Sequence, residues 1–159
     1  MRSSAYDRQP RRPRRAESTT MAAPRTGDPA FGAALLRQLT ASIDDEGMMT
    51  EQHRELAATL RRHLFERAAA VVEEAVALPP RFDRRLDVVR RVMHATASRG
   101  AAIEDAIGHA LVTGGLLGDL ERVIMRQMLA TIRIDLDAVE RELEDVTMDA
   151  AWVDHGGPG

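Results

Sequence analysis

The stretch that most constrains this chain is Leu120 to Val146, LERVIMRQMLATIRIDLDAVERELEDV. Met125, Leu129, Ile132, Leu136, Val139, Leu143 and Val146 recur at alternating intervals of four and three, with no Gly or Pro between them. Side chains three and four apart share one face of an α-helix, so this heptad register predicts a single long amphipathic helix. With Leu129, Leu136 and Leu143 at position a, the β-branched Ile132, Val139 and Val146 fall at d, a combination that disfavours a parallel dimer. The acidic run from Asp135 to Asp149 sits at the negative end of the helix dipole and calls for a cationic partner. An antiparallel copy would supply one, placing Arg133 beside Glu140 twice by symmetry. The stripe therefore predicts an oligomer interface of Met125, Leu129, Ile132, Arg133, Leu136, Val139, Glu140 and Leu143. The competing expectation is that the seam packs inside one chain against the other long helix. Ile124 and Ile134 fall outside the seam, which gives the helix a second apolar patch: one for a core, one for a partner.

The rest of the chain reads as helices and turns. Asp28-Pro29 opens a first helix, with Asp capping the free amides and Pro at a position that has no N–H to lose. Its apolar stripe is Phe31, Leu35, Leu39 and Ile43, and Asp44-Asp45-Glu46-Gly47 ends it. Thr50 caps a second, long helix that reaches about Leu78, where Pro79-Pro80 stop it. Asp83 begins a third that runs to about Ser98, with Gly100 as its stop, and a short fourth spans roughly Ala101 to Val112. Thr113-Gly114-Gly115 turns the chain into the heptad helix, from Leu116 or Asp119 to about Met148. No segment alternates as a strand would, and aromatic residues make up 3% of the sequence. The expectation is an all-α bundle of about five helices, two of them long, over residues 29–149. A flexible end follows at 150–159.

Residues 1–28 are rich in Arg, Pro, Ser and Thr and carry too little apolar surface to offset ordering entropy, which predicts a disordered tail. Residues 1–29 have a balance of +4 and the remainder −7, so a basic tail precedes an acidic body. Met21 is a second candidate start. All 22 basic residues are Arg, a bias that codon usage alone explains. No apolar segment follows the N-terminal charges and no long apolar run exists, so the sequence predicts neither export nor a membrane span, and a cytoplasmic location. There is no Cys, which removes disulfides, thiolate metal sites and cysteine nucleophiles.

Candidate chemistry is sparse. Four His lie in predicted helices (His53, His63, His94, His109), but none pairs with another at i, i+4, and no Glu-x-x-His or HExxH occurs. Neither metal nor cofactor is expected. GGLLGD at 114–119 lacks the Lys and the preceding strand of phosphate-binding loops and reads as a turn. Asp44-Asp45-Glu46 lacks the alternating oxygen ligands of a calcium loop. No Ser is placed with a base and an oxyanion site, which argues against catalysis. RQPRRPRR in the tail and RFDRRLDVVRR at 81–91 offer Arg11, Arg12, Arg14, Arg15, Arg84 and Arg91 as candidate contacts to an anion or nucleic acid. The leading expectation is a non-enzymatic protein–protein interaction module, a self-associating scaffold, accessory subunit or adaptor. A nucleic-acid-binding regulator is the first alternative. The second is a helical enzyme or small-molecule-binding protein, which would show His63, His94 or His109 converging on a cavity.

Overall fold

The computed structural model describes residues 28–45 and 47–154. Among these, four α-helices account for nearly all of the chain: α1 (Pro29–Asp45), α2 (Glu51–Val76), α3 (Asp83–Val112) and α4 (Asp119–Asp154). A single 3-10 turn, Pro80–Phe82, joins α2 to α3. No described helix is long and apolar enough to cross a membrane.

The helices begin where local chemistry permits. The Asp28 carboxylate accepts the Ala30 amide at 3.0 Å, and Pro29 takes the first helical position. At α2 the Thr50 amide donates to His53 Nδ1 at 3.0 Å, so an imidazole stands where a capping box places Glu or Gln. The Pro-Pro pair ends α2, and Phe82 folds back into the core with the Arg81 guanidinium 4.7 Å above its ring.

One expectation fails here. The third and fourth predicted helices are one continuous helix of 30 residues, so four helices stand in place of five. Gly100 is not a stop. It keeps helical geometry, and a Cβ there would meet Leu64 Cδ1 at 2.5 Å. Glycine costs a helix about 1 kcal/mol at an interior position. Here it lets α3 lie close against α2, and the packing outweighs the propensity.

Sequence neighbours pack antiparallel, and α4 closes the ring against α1. Arg61 pairs with Glu104 between α2 and α3. Arg99 pairs with Asp135, and Arg85 with Glu142 and Asp149, between α3 and α4. At the end of α1, Arg122 of α4 donates to the carbonyls of Ile43 (3.1 Å) and Asp44 (2.9 Å), and Arg126 pairs with Asp44. A guanidinium thus covers carbonyls that lack partners within the helix. Asp44 is therefore part of a helix-to-helix clasp. The two loops at this end are zipped together: Met49 N donates to Gly115 O at 2.6 Å, and Leu117 N to Gly47 O at 2.8 Å. Gly115 is required there, because its φ is +91° and a Cβ would lie 3.0 Å from Met49 O.

The heptad seam lies in this core. Met125, Leu129, Ile132, Leu136, Val139, Leu143 and Val146 are all buried by α1, α2 and α3 of the same chain. The helix also runs beyond the expected Met148, to Asp154, adding buried Ala150 to the stripe.

Candidate functional site

With the seam inside, the expected interface residues have other duties. Arg133 is exposed on the α4 surface beside α1. Glu140 is held by Arg67 of α2 in a two-pronged ion pair, Nε to Oε2 at 2.6 Å and Nη2 to Oε1 at 2.8 Å, while Arg67 Nη1 reaches Glu74 at 2.8 Å. Arg67 is itself buried. Burial works against its charge, but the bonds to Glu140 and Glu74 more than compensate, and its pKa is raised. The cation that the acidic end of α4 calls for comes from within: Arg67, Arg85 and Arg99 of α2 and α3. No antiparallel copy is needed at the seam, and the expected Arg133–Glu140 contact across an interface is not made by this arrangement.

What α4 leaves open is its opposite face. Leu120, Gln127, Ile134, Arg141 and Met148 follow one another at intervals of seven, on the far side of the helix from the seam. Leu120 is 71% exposed, Ile134 67% and Met148 64%. Val123, Ala130, Asp137 and Glu144 lie on one flank of this row, and Ile124, Ala138, Asp145 and Trp152 on the other, all exposed. Grooves run along both sides. That between α1 and α4 measures about 660 Å³ and is walled by Thr40, Ala41, Arg126, Ala130 and Ile134. That between α3 and α4 measures about 490 Å³ and is walled by Val88, Val92, Ala138 and Arg141. Large exposed apolar side chains gathered on one helix face mark a contact site, and here they are interspersed with Gln127, Asp137 and Arg141. The sequence pointed to part of this face through Ile124 and Ile134. The seven-residue spacing that also joins Leu120 and Met148 was the signal overlooked.

The other candidates do not assemble. His63 is buried, makes an edge contact with Phe31 at a centroid distance of 5.7 Å, and sits against Gly32, where a Cβ would lie 2.6 Å from its Nε2. Its Nδ1 has no hydrogen-bond partner. Burial, and then the positive charge of Arg67, push its pKa down, so it is held neutral. The cavity it lines, with Ala33, Leu36 and Arg133, measures about 30 Å³, room for a water rather than a substrate. His94 and His109 are exposed on α3, so the three imidazoles do not converge. No group of three His, Asp or Glu among the described residues could hold a metal. In the 81–91 stretch, Arg85 is bound to Glu142 and Asp149, while Arg90 and Arg91 pair with Asp87. Arg84 is exposed beside them. Arg11, Arg12, Arg14 and Arg15 lie outside the described residues. No family model, curated protein or solved structure matches the chain.

Proposed function

We propose that this chain is a helical protein–protein interaction module, a self-associating scaffold or accessory subunit, whose contact surface is the outer face of α4. The observation that carries this reading is that α4 buries a complete heptad seam within its own chain and still exposes Leu120, Ile134, Met148 and Trp152 on the other side. Among the described residues, intramolecular packing covers the first stripe and leaves the second open. Burying a large aliphatic side chain fully is worth roughly 1.5–3 kcal/mol, so a row of this length gives association a driving force that surface ion pairs do not. The grooves on either side supply relief into which a facing helix can set its ridges.

Sedimentation velocity across a concentration series tests this. The wild-type chain is expected to associate, and Ile134→Asp to sediment as a monomer of unchanged helix content. Association that survives Ile134→Asp assigns the contact to another face and removes the proposal.

A further inference from the structure

Resting on that reading of the outer face, we infer that the partner is a second copy of the chain, paired antiparallel through α4 across a two-fold axis at Ile134. The seven-spaced row reads Leu120, Gln127, Ile134, Arg141, Met148, apolar and polar in alternation and symmetric about its centre. A two-fold axis at Ile134 maps the row onto itself. Leu120 meets Met148 of the other copy, Ile134 meets Ile134, and Gln127 meets Arg141, whose guanidinium can donate to the amide carbonyl. On the flanks, the same axis sets each side of the row against its own copy, so Ala130 meets Asp137 of the other copy and Ala138 meets Thr131, and the two small side chains let the backbones approach. A parallel pair would instead stack Arg141 on Arg141 in the middle of an apolar row, and like charges directly opposed are destabilising.

The charge along α4 points the same way. Residues 119–136 carry three Arg (Arg122, Arg126, Arg133) against three acids, and are neutral. Residues 137–154 carry seven acids against Arg141, a balance of −6. Arg67 and Arg85 answer part of that charge from within the bundle, but Asp137, Glu144 and Asp145 are exposed and form no ion pair among the described residues. A parallel dimer lays two such halves side by side. The antiparallel dimer lays each against the neutral half of its partner, over a contact about 42 Å long between residues 120 and 148 at 1.5 Å per residue. The contact is isologous, so each copy uses its whole row once and the assembly closes as a dimer instead of extending.

Disulfide trapping tests the orientation directly, because the native sequence contains no Cys. Two full-length variants are prepared, Ala130→Cys and Asp137→Cys. In the antiparallel dimer, position 130 lies on the same flank as position 137 of the partner and within one residue of its level, whereas each is about 9–12 Å along the axis from its own symmetry mate, beyond disulfide reach. An oxidised equimolar mixture is expected to give a cross-linked dimer joined 130 to 137, with neither variant cross-linking alone. Addition of Ile134→Asp to both is expected to abolish the product. Cross-linking of each variant with itself means a parallel pair and overturns this inference while leaving the outer face as the interface. No cross-link in a dimer that Ile134→Asp still dissociates likewise overturns the two-fold placement alone. A cross-link indifferent to Ile134→Asp, or a chain monomeric at every concentration, overturns the outer-face reading and this inference with it.

Discussion

Ile132 and Ile134 are two residues apart on one helix. Ile132 is completely buried, while Ile134 is two-thirds exposed. Each belongs to a row that repeats over the length of α4, the inner one apolar throughout and the outer one alternating apolar residues with Gln127 and Arg141, and nothing in either isoleucine side chain distinguishes them. The difference lies in what faces them. α1, α2 and α3 each carry an apolar stripe to lay against the inner row, and among the described residues no helix lies against the outer one. A repeat identifies a face that requires cover. It does not say whether the cover comes from the same chain or from another.

The largest effect that could break this comparison is the introduction of a charge on each face. Ile132→Asp places an unpaired carboxylate in the core and is expected to abolish cooperative folding, read as loss of helical circular dichroism. Ile134→Asp is expected to leave the melting temperature nearly unchanged and remove only self-association. The reverse pattern would mean that the two faces have been exchanged. Leu136→Asp belongs with Ile132→Asp: the sequence alone makes it a monomerising change, whereas its burial in the core makes it an unfolding one.

Next in size is the internal answer to α4's acidic end. Arg67→Ala leaves the half-buried Glu140 without its guanidinium and is expected to cost about 3 kcal/mol in urea unfolding. Arg85→Ala, on the exposed α3 side of the same helix, is expected to cost clearly less, because solvent screens that pair. Equal losses at the two positions would show that the inner pairing is no stronger than the outer.

Two glycines of α3 sharpen the contrast between covered and open faces. Gly100→Ala must displace the buried Leu64, and overpacking of this kind costs about 1–3 kcal/mol, which outweighs the gain in helix propensity. Gly108→Ala meets no atom within 4 Å and is expected to stabilise by about 0.5–1 kcal/mol. Thermal unfolding of both reads the sign.

The smallest effect is the pH response of His63. The fold holds this imidazole neutral, with a pKa below the value of 6.5 it has when exposed. As pH falls past 6.5 the unfolded chain takes up the proton first, so the stability from His63 is complete above that pH and declines below it. His63→Gln is expected to flatten the acid side of the stability profile relative to wild type. An identical acid slope in both would show that carboxylates alone set it.

Much of the fold was legible. Asp28-Pro29, Thr50, Pro79-Pro80 and Gly114-Gly115 mark helix ends or turns through local chemistry, and they act over a few residues without help from the rest of the chain. Gly100 misled because glycine has two uses in a helix, as a terminator and as a point of close approach. The continuing stripe Met93, Ala97, Ile103, Ile107 on either side of it was the better guide. The Arg67–Glu140 pair spans 73 positions, and no local pattern announces it. The same is true of Arg122 reaching the end of α1. In the candidate site, Ile134 was visible as an apolar residue off the seam. That it lies open, while the seam does not, was not visible.

The sequence by itself determined that the chain is helical, where most helices begin and end, and that α4 has more apolar surface than one face can use, because periodicity and caps act within one helix. Which of its two rows is the core, and which acids already have their arginines, only the tertiary structure decided. Those outcomes depend on how α1, α2 and α3 compete for the same cylinder, and that competition is settled by packing between segments far apart in the chain.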